Sequence, residues 1–236
     1  MRPFFLCIAS VAAIVASKPA PAVTFSSGQQ HVALIELFSS EGCSSCPPAE
    51  RWLSDLRDEP RLWQEFVPLS FHVDYWNRLG WTDRFSNHAY SARQSEYAEL
   101  WRTSTVYTPC FVKDGDEWRT HRSLQSSGPS AGTLSAKIEG ETLVVTYRPL
   151  SGVDGSYEVH AALLGCGIVS KIASGENRGA TLHHDFVVLN LVHGSLGKDI
   201  HFNRVARKDV PRTALAVWVS RQGEPKPIQA TGGWLE

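Results

Sequence analysis

Two cysteines separated by two residues, in Gly42-Cys43-Ser44-Ser45-Cys46-Pro47, carry the most specific chemistry in the sequence. This spacing can close a small disulfide ring, and a thiol at the first turn of a helix faces the positive end of the peptide dipoles, which stabilises its thiolate. In an exchange mechanism Cys43 is expected to be the more exposed nucleophile, and Cys46 the more buried thiol that resolves the mixed disulfide. The same pair admits two other chemistries. Adjacent thiolates suit Cu(I), with His72, Cys110 or the His183-His184 pair as a third ligand, and a bridge can also be purely structural. A zinc site would normally offer a second Cys/His pair at fixed spacing, and none stands out. Glu36 and Asp74 are candidate proton acceptors for Cys46, Glu36 the more interesting because it lies in an apolar run where burial would raise its pKa. Tyr75, Trp76 and Trp81 can line a groove or pack in the core. His183 and His184 are adjacent on a strand-like run and so should point to opposite faces.

These residues need elements to hold them. Residues 31–38 are apolar and β-branched and read as a buried strand; the cysteines follow a Ser/Glu/Gly break, and residues 49–56 place Trp52, Leu53 and Leu56 on one helical face. The pair therefore lies where a strand turns into a helix, a place that tolerates Pro47 and Pro48 because first-turn N–H groups have no intrahelical partner. Residues 66–73 read as a second strand. A helix capped by Thr82 or Asp83 should run to about Trp101 with Phe85, Ala89, Ala92, Tyr97 and Leu100 inward. Thr108-Pro109 enters a third strand that turns at Asp114-Gly115. Alternation of strand and helix predicts a parallel crossover and an α/β domain. Residues 125–132 are rich in Ser, Gly and Pro, and beyond them the runs 134–148, 157–164, 186–192 and 214–219 predict an antiparallel β-rich region.

The 236-residue chain carries 23 Lys+Arg against 24 Asp+Glu, a balance without the basic patch that phosphate-backbone binding requires, so nucleic acid is excluded as an expected partner. Residues 1–22 combine Arg2, a short apolar run and Ala20-Pro21-Ala22, the pattern of a cleaved secretory leader. Cleavage after Ala22 removes Cys7 and leaves Cys43, Cys46, Cys110 and Cys166 in a periplasmic or secreted chain without a membrane span, where thiols can oxidise. A Cys110–Cys166 bridge would give an even pairing.

Strand, Cys-x-x-Cys, helix, crossover and Thr108-Pro109 ahead of a strand together resemble the thioredoxin superfamily. More narrowly, residues 35–49, 70–76, 106–109 and 175–177 resemble the exported bacterial family of domain of unknown function 1223. The resemblance implies a thioredoxin-like α/β domain over residues 23–124, lacking an evident last helix, a linker at 125–132 and a β-rich domain over 133–236. It also implies a cis Pro109 that, with Thr108, shapes the binding site of a thiol or disulfide partner. The expected function is thiol–disulfide exchange through Cys43 and Cys46 without an organic cofactor; copper(I) delivery by the same pair and a binding module with a structural bridge are the alternatives.

Overall fold

The computed structural model describes residues 22–119, 124, 128–150, 155–203 and 207–235. The expected leader up to residue 21, and residues 125–127 of the expected linker, lie outside the described residues.

Strand β1 (Val23–Ser26) leads into β2 (Ala33–Ser39), every residue of which is buried because both faces of the sheet are covered there. Helix α1 (Pro47–Asp55) starts from Cys46, with two prolines in the first turn, where their missing N–H groups cost nothing. Strand β3 (Phe66–His72) pairs in parallel with β2, Ala33 opposite Phe66 through Ser39 opposite His72. Helix α2 (His88–Leu100) is capped by Asn87, whose side chain accepts from the Ala89 N–H. Strand β4 (Cys110–Lys113) runs antiparallel to β2 and turns at Asp114 and Gly115, both with positive φ, into β5 (Asp116–Glu117). The chain continues through β6 (Thr133–Glu139), β7 (Thr142–Arg148), β8 (Tyr157–Cys166), β9 (Ile168–Lys171), β10 (Thr181–His184), β11 (Val187–Ser195), β12 (Ile200–His201), β13 (Arg212–Arg221) and β14 (Pro227–Leu235).

Among the described residues these strands form three sheets. One has eight strands in the order β14-β13-β8-β11-β3-β2-β4-β5, one has four in the order β1-β6-β7-β12, and β9 and β10 form a hairpin. Period-two alternation divides the large sheet between two cores. Ala162 and Leu164 of β8 join Leu37, Phe38, Leu53 and Trp218, whereas Ala161 and Leu163 face Leu134, Ala136, Leu143 and Val145 of the four-stranded sheet.

This architecture overturns the expectation of an α/β thioredoxin-like domain followed by a β-rich domain. Among the described residues strand makes up 44% and helix 14%, with two α-helices. The reason is the open edge of β3. Strand β11 pairs with it, Val187 opposite Ser70 and the Ser70 N–H donating to the Phe186 carbonyl, so strands from both sides of residues 125–132 share one sheet. Helix α2 also differs from its sequence reading. It begins six residues after Thr82 and turns Tyr90, Arg93, Gln94, Tyr97 and Ala98 inward, leaving Ala89, Ala92 and Leu100 exposed. Polar partners set that phase: Arg93 donates to buried Glu36 and Gln94 to the Tyr107 carbonyl.

Candidate functional site

Cys43 and Cys46 are joined in a disulfide with Cα atoms 5.4 Å apart. The Ser40 carbonyl accepts the Cys43 N–H, and the Cys46 carbonyl accepts the N–H groups of Ala49 and Glu50, so the ring is fixed to the first turn of α1. Ser44 and Ser45 are exposed, but Cys43 is 0% and Cys46 1% exposed. The expected exposed nucleophile is thus covered. Its cover is the β9–β10 connection: the Asn177 amide donates to the carbonyls of Glu41 (2.9 Å) and Cys43 (3.0 Å), and the Glu176 carboxylate accepts the Ser44 N–H. Gly175 permits this approach, having φ +76° and no room for a side chain, since a Cβ there would lie 3.0 Å from the Trp81 Cβ.

Thr108 and Pro109 reach the cysteine loop through Trp76. The Thr108–Pro109 peptide is cis, the Trp76 indole N–H donates to Thr108 Oγ1 at 2.7 Å, and the Trp76 Cβ packs where a side chain on Gly42 would project.

Beneath the disulfide lies a buried ionisable cluster that sequence reading recovered only in part. Glu50 sits one helical turn beyond Cys46 and projects toward β3, where Ser70 Oγ is 3.4 Å and His72 Nε2 3.5 Å from its Oε1. His184 approaches from β10, with Nδ1 3.2 Å from Glu50 Oε2 and Nε2 3.5 Å from Glu41 Oε1. His72 donates from Nδ1 to Asp83 at 2.7 Å, Asp83 also accepts the Glu41 N–H, and Trp81 donates to Glu41 Oε2. Burial opposes charge on His184, but Glu41 and Glu50 outweigh it and push the pKa up to about 10. Burial likewise opposes a charged His72, and Asp83 and Glu50 reverse the balance upward. Burial would raise the carboxyls of Glu50, Asp83 and Glu41, yet the histidines hold all three below the usual carboxylate range. A pocket of about 70 Å³ opens beside the cluster, lined by Ser40, Cys46, Glu50, Arg51, Thr181 and His184 among others.

The remaining candidates lie elsewhere. Glu36 in β2 is engaged by α2, where Arg93 Nε donates to it at 2.6 Å and the Tyr97 hydroxyl at 2.5 Å. Asp74 accepts from Ser91 and His88 near the start of α2. His183 is exposed while His184 is buried, as alternation along a strand requires. Cys110 and Cys166 are buried and unbridged. Four strand spacings separate β4 from β8, about 19 Å, far beyond disulfide reach. Burial pushes their thiol pKa values up to about 11 and about 12 respectively, which leaves them unreactive. Sequence reading missed Glu50, although a residue four positions after Cys46 shares its helical face; Glu41 and Asp83 reach the cluster from loops that carry no periodic signal.

A family model described as "Protein of unknown function (DUF1223)" matches residues 34–220, a span that contains the disulfide, the cluster and the Gly175-Glu176-Asn177 cover. The chain belongs to the DUF1223 family. No curated protein matches it. Among solved structures, this DUF1223 chain is similar to protein AGR_C_4864 from Agrobacterium tumefaciens, with 22% identity, a TM-score of 0.62, and coverage of 88% of this chain and 96% of that one. It is also similar to HBP35 of Porphyromonas gingivalis, with 13% identity, a TM-score of 0.54, and coverage of 88% and 76%. At these identities the likeness concerns the fold. Among the described residues no helix is long and apolar enough to cross a membrane.

Proposed function

We propose that this DUF1223 protein is an exported thiol–disulfide oxidoreductase whose working pair is Cys43 and Cys46. The observation that carries the reading is the placement of the bridge at the N-terminal turn of α1, with exposed Ser44 and Ser45 between the sulfurs and a pocket running along Cys46. A thiolate formed at this turn gains the stabilisation that a helix N-terminus gives an anion. In the oxidising direction a partner thiolate attacks Cys43 Sγ, the Cys43–Cys46 bond breaks, and Cys46 leaves with the electron pair and takes a proton. A second partner thiolate then attacks the mixed disulfide, releasing an oxidised partner and Cys43 as the thiolate. The reverse sequence reduces a partner. Either direction requires the Glu176-Asn177 cover to lift, and Thr108 and Pro109, tied to the loop through Trp76, border the surface then uncovered.

Purified protein is expected to show a reversible two-electron couple and to catalyse disulfide exchange, with turnover abolished in Cys43→Ser. Retention of full turnover in that variant would refute the reading. The burial of both sulfurs favours a second reading, a binding module with a structural bridge; a bridge that resists dithiothreitol under native conditions would select it. Copper(I) delivery requires the reduced pair, and Cu(I) retention against a competing chelator, lost in the double Cys→Ser variant, would mark it.

A further inference from the structure

We infer that Glu50, His72 and His184 form a binding site for one divalent first-row transition-metal ion, with zinc the best-suited occupant, distinct from the cysteine pair. The three residues offer donor atoms that all lie within 4.8 Å of one another, and all three side chains are buried. Two imidazoles and one carboxylate suit a borderline divalent ion better than Cu(I), which prefers sulfur, or Mg²⁺ and Ca²⁺, which prefer oxygen.

The geometry carries the argument further than proximity does. In a tetrahedral zinc site with ligands at 2.0–2.1 Å, neighbouring donor atoms stand about 3.3 Å apart. Here His72 Nε2 is 3.5 Å from Glu50 Oε1 and His184 Nδ1 3.2 Å from Glu50 Oε2, so each imidazole faces its own carboxylate oxygen at close to that spacing. His72 Nε2 has no hydrogen-bond partner although the side chain is fully buried, and a buried imidazole nitrogen without a partner is costly unless something else engages it. The outer nitrogen of His72 is already oriented. His72 Nδ1 is held by Asp83, the carboxylate–histidine arrangement that fixes the ring and tautomer of metal-bound imidazoles, and His184 Nε2 faces Glu41 Oε1 at 3.5 Å without a hydrogen bond. Asp83 and Glu41 are in turn held, Asp83 by the N–H groups of Glu41 and Phe85 and Glu41 by the Trp81 indole. The pocket lined by Glu50 and His184 supplies an entry route and an open coordination position.

The site needs no free thiol, and its test runs on full-length protein with the disulfide closed. Metal-stripped protein is expected to bind one Zn²⁺ or Co²⁺ per chain in competition with a chromophoric chelator. The Co²⁺ form should show visible ligand-field bands without thiolate charge transfer, and X-ray absorption of the Zn²⁺ form should show a nitrogen and oxygen shell with two imidazoles. Affinity should fall at least about 10-fold in Asp83→Asn and further in His184→Gln, while Cys43→Ser with Cys46→Ser retains it. Absence of stoichiometric binding by the wild-type protein, a sulfur shell, or binding lost in the double cysteine variant would overturn the inference. The wild-type spectra decide even if a cluster variant fails to fold. Disulfide exchange measured in chelator separates failure of the metal site from failure of the oxidoreductase reading.

Discussion

Glu36 and Glu50 show how one carboxylate in an apolar setting can serve structure while another serves a site. Glu36 is fully buried against Arg93 and Tyr97, and Arg93 also stacks near the rings of Phe71, Tyr97 and Trp218, so the guanidinium has no water to fall back on. Glu36→Gln leaves that charge unpaired, and urea unfolding should report a loss of about 3–5 kcal/mol. A loss under about 1 kcal/mol would mean that Arg93 finds another partner. The burial of Glu36 was legible from its apolar neighbours; its partner was not, because an arginine on a helix is ordinarily read as the solvent face. His160 makes a second residue-scale case. Burial, then Arg93 and His193, push its pKa down to about 3, and Glu158, Ser220 and the stacked Trp218 complete its surroundings. The unfolded chain takes up a proton near pH 6.5 while the folded chain refuses it, so stability is full above that pH and is lost as pH falls toward 3. Between pH 7 and 5 the wild-type protein should lose up to about 2 kcal/mol more than His160→Gln, from about 1.4 kcal/mol per pH unit below 6.5. Equal pH slopes for the two proteins would sink this assignment.

At the scale of elements, the β9–β10 connection is hydrogen-bonded across the cysteine loop. Its hold on the cysteine loop is two hydrogen bonds from Asn177 and one to Glu176, and a net worth of about 0.5–1.5 kcal/mol for each Asn177 bond sets the size of the effect. Asn177→Ala should therefore speed reduction of the bridge by dithiothreitol roughly 5- to 150-fold, followed by the appearance of reactive thiol. Gly175→Ala, strained at φ +76° and crowded by Trp81, should act in the same direction. Unchanged rates in both variants would show that the sulfurs are reached by another route. Strands β2 and β3 and the turn at Asp114-Gly115 were legible because their signals are local: β-branched runs and a turn dipeptide. The start of α2 was not. Asp83 reads as a helix cap, but His72 and the Glu41 N–H draw it into the cluster, so the helix waits for Asn87.

For the whole molecule, the continuous eight-stranded sheet predicts that unfolding is a single event. Sequence reading separates the halves at residues 125–132 because composition breaks there, and the pairing that joins them, Ser70 with Val187, spans more than a hundred positions and leaves no local trace. The join is reinforced away from β11. The Gln229 side chain accepts the Val32 N–H and donates to the Gln30 and Gly132 carbonyls, while Trp63 on one side of the break packs against Phe186 and Trp234 on the other. A core built from Leu34, Phe66, Ala162, Trp218 and Ala230 together cannot be half lost without exposing apolar surface of the remainder. Tryptophans lie in both halves, so denaturation followed by indole fluorescence should coincide with the loss of far-ultraviolet circular dichroism. Gln229→Ala, which orphans the Val32 N–H and two carbonyls, should shift both curves to lower denaturant together rather than splitting them. Two separated transitions, or a shift confined to one probe, would mean that the halves fold independently and that the β3–β11 junction is a contact between units instead of a shared sheet.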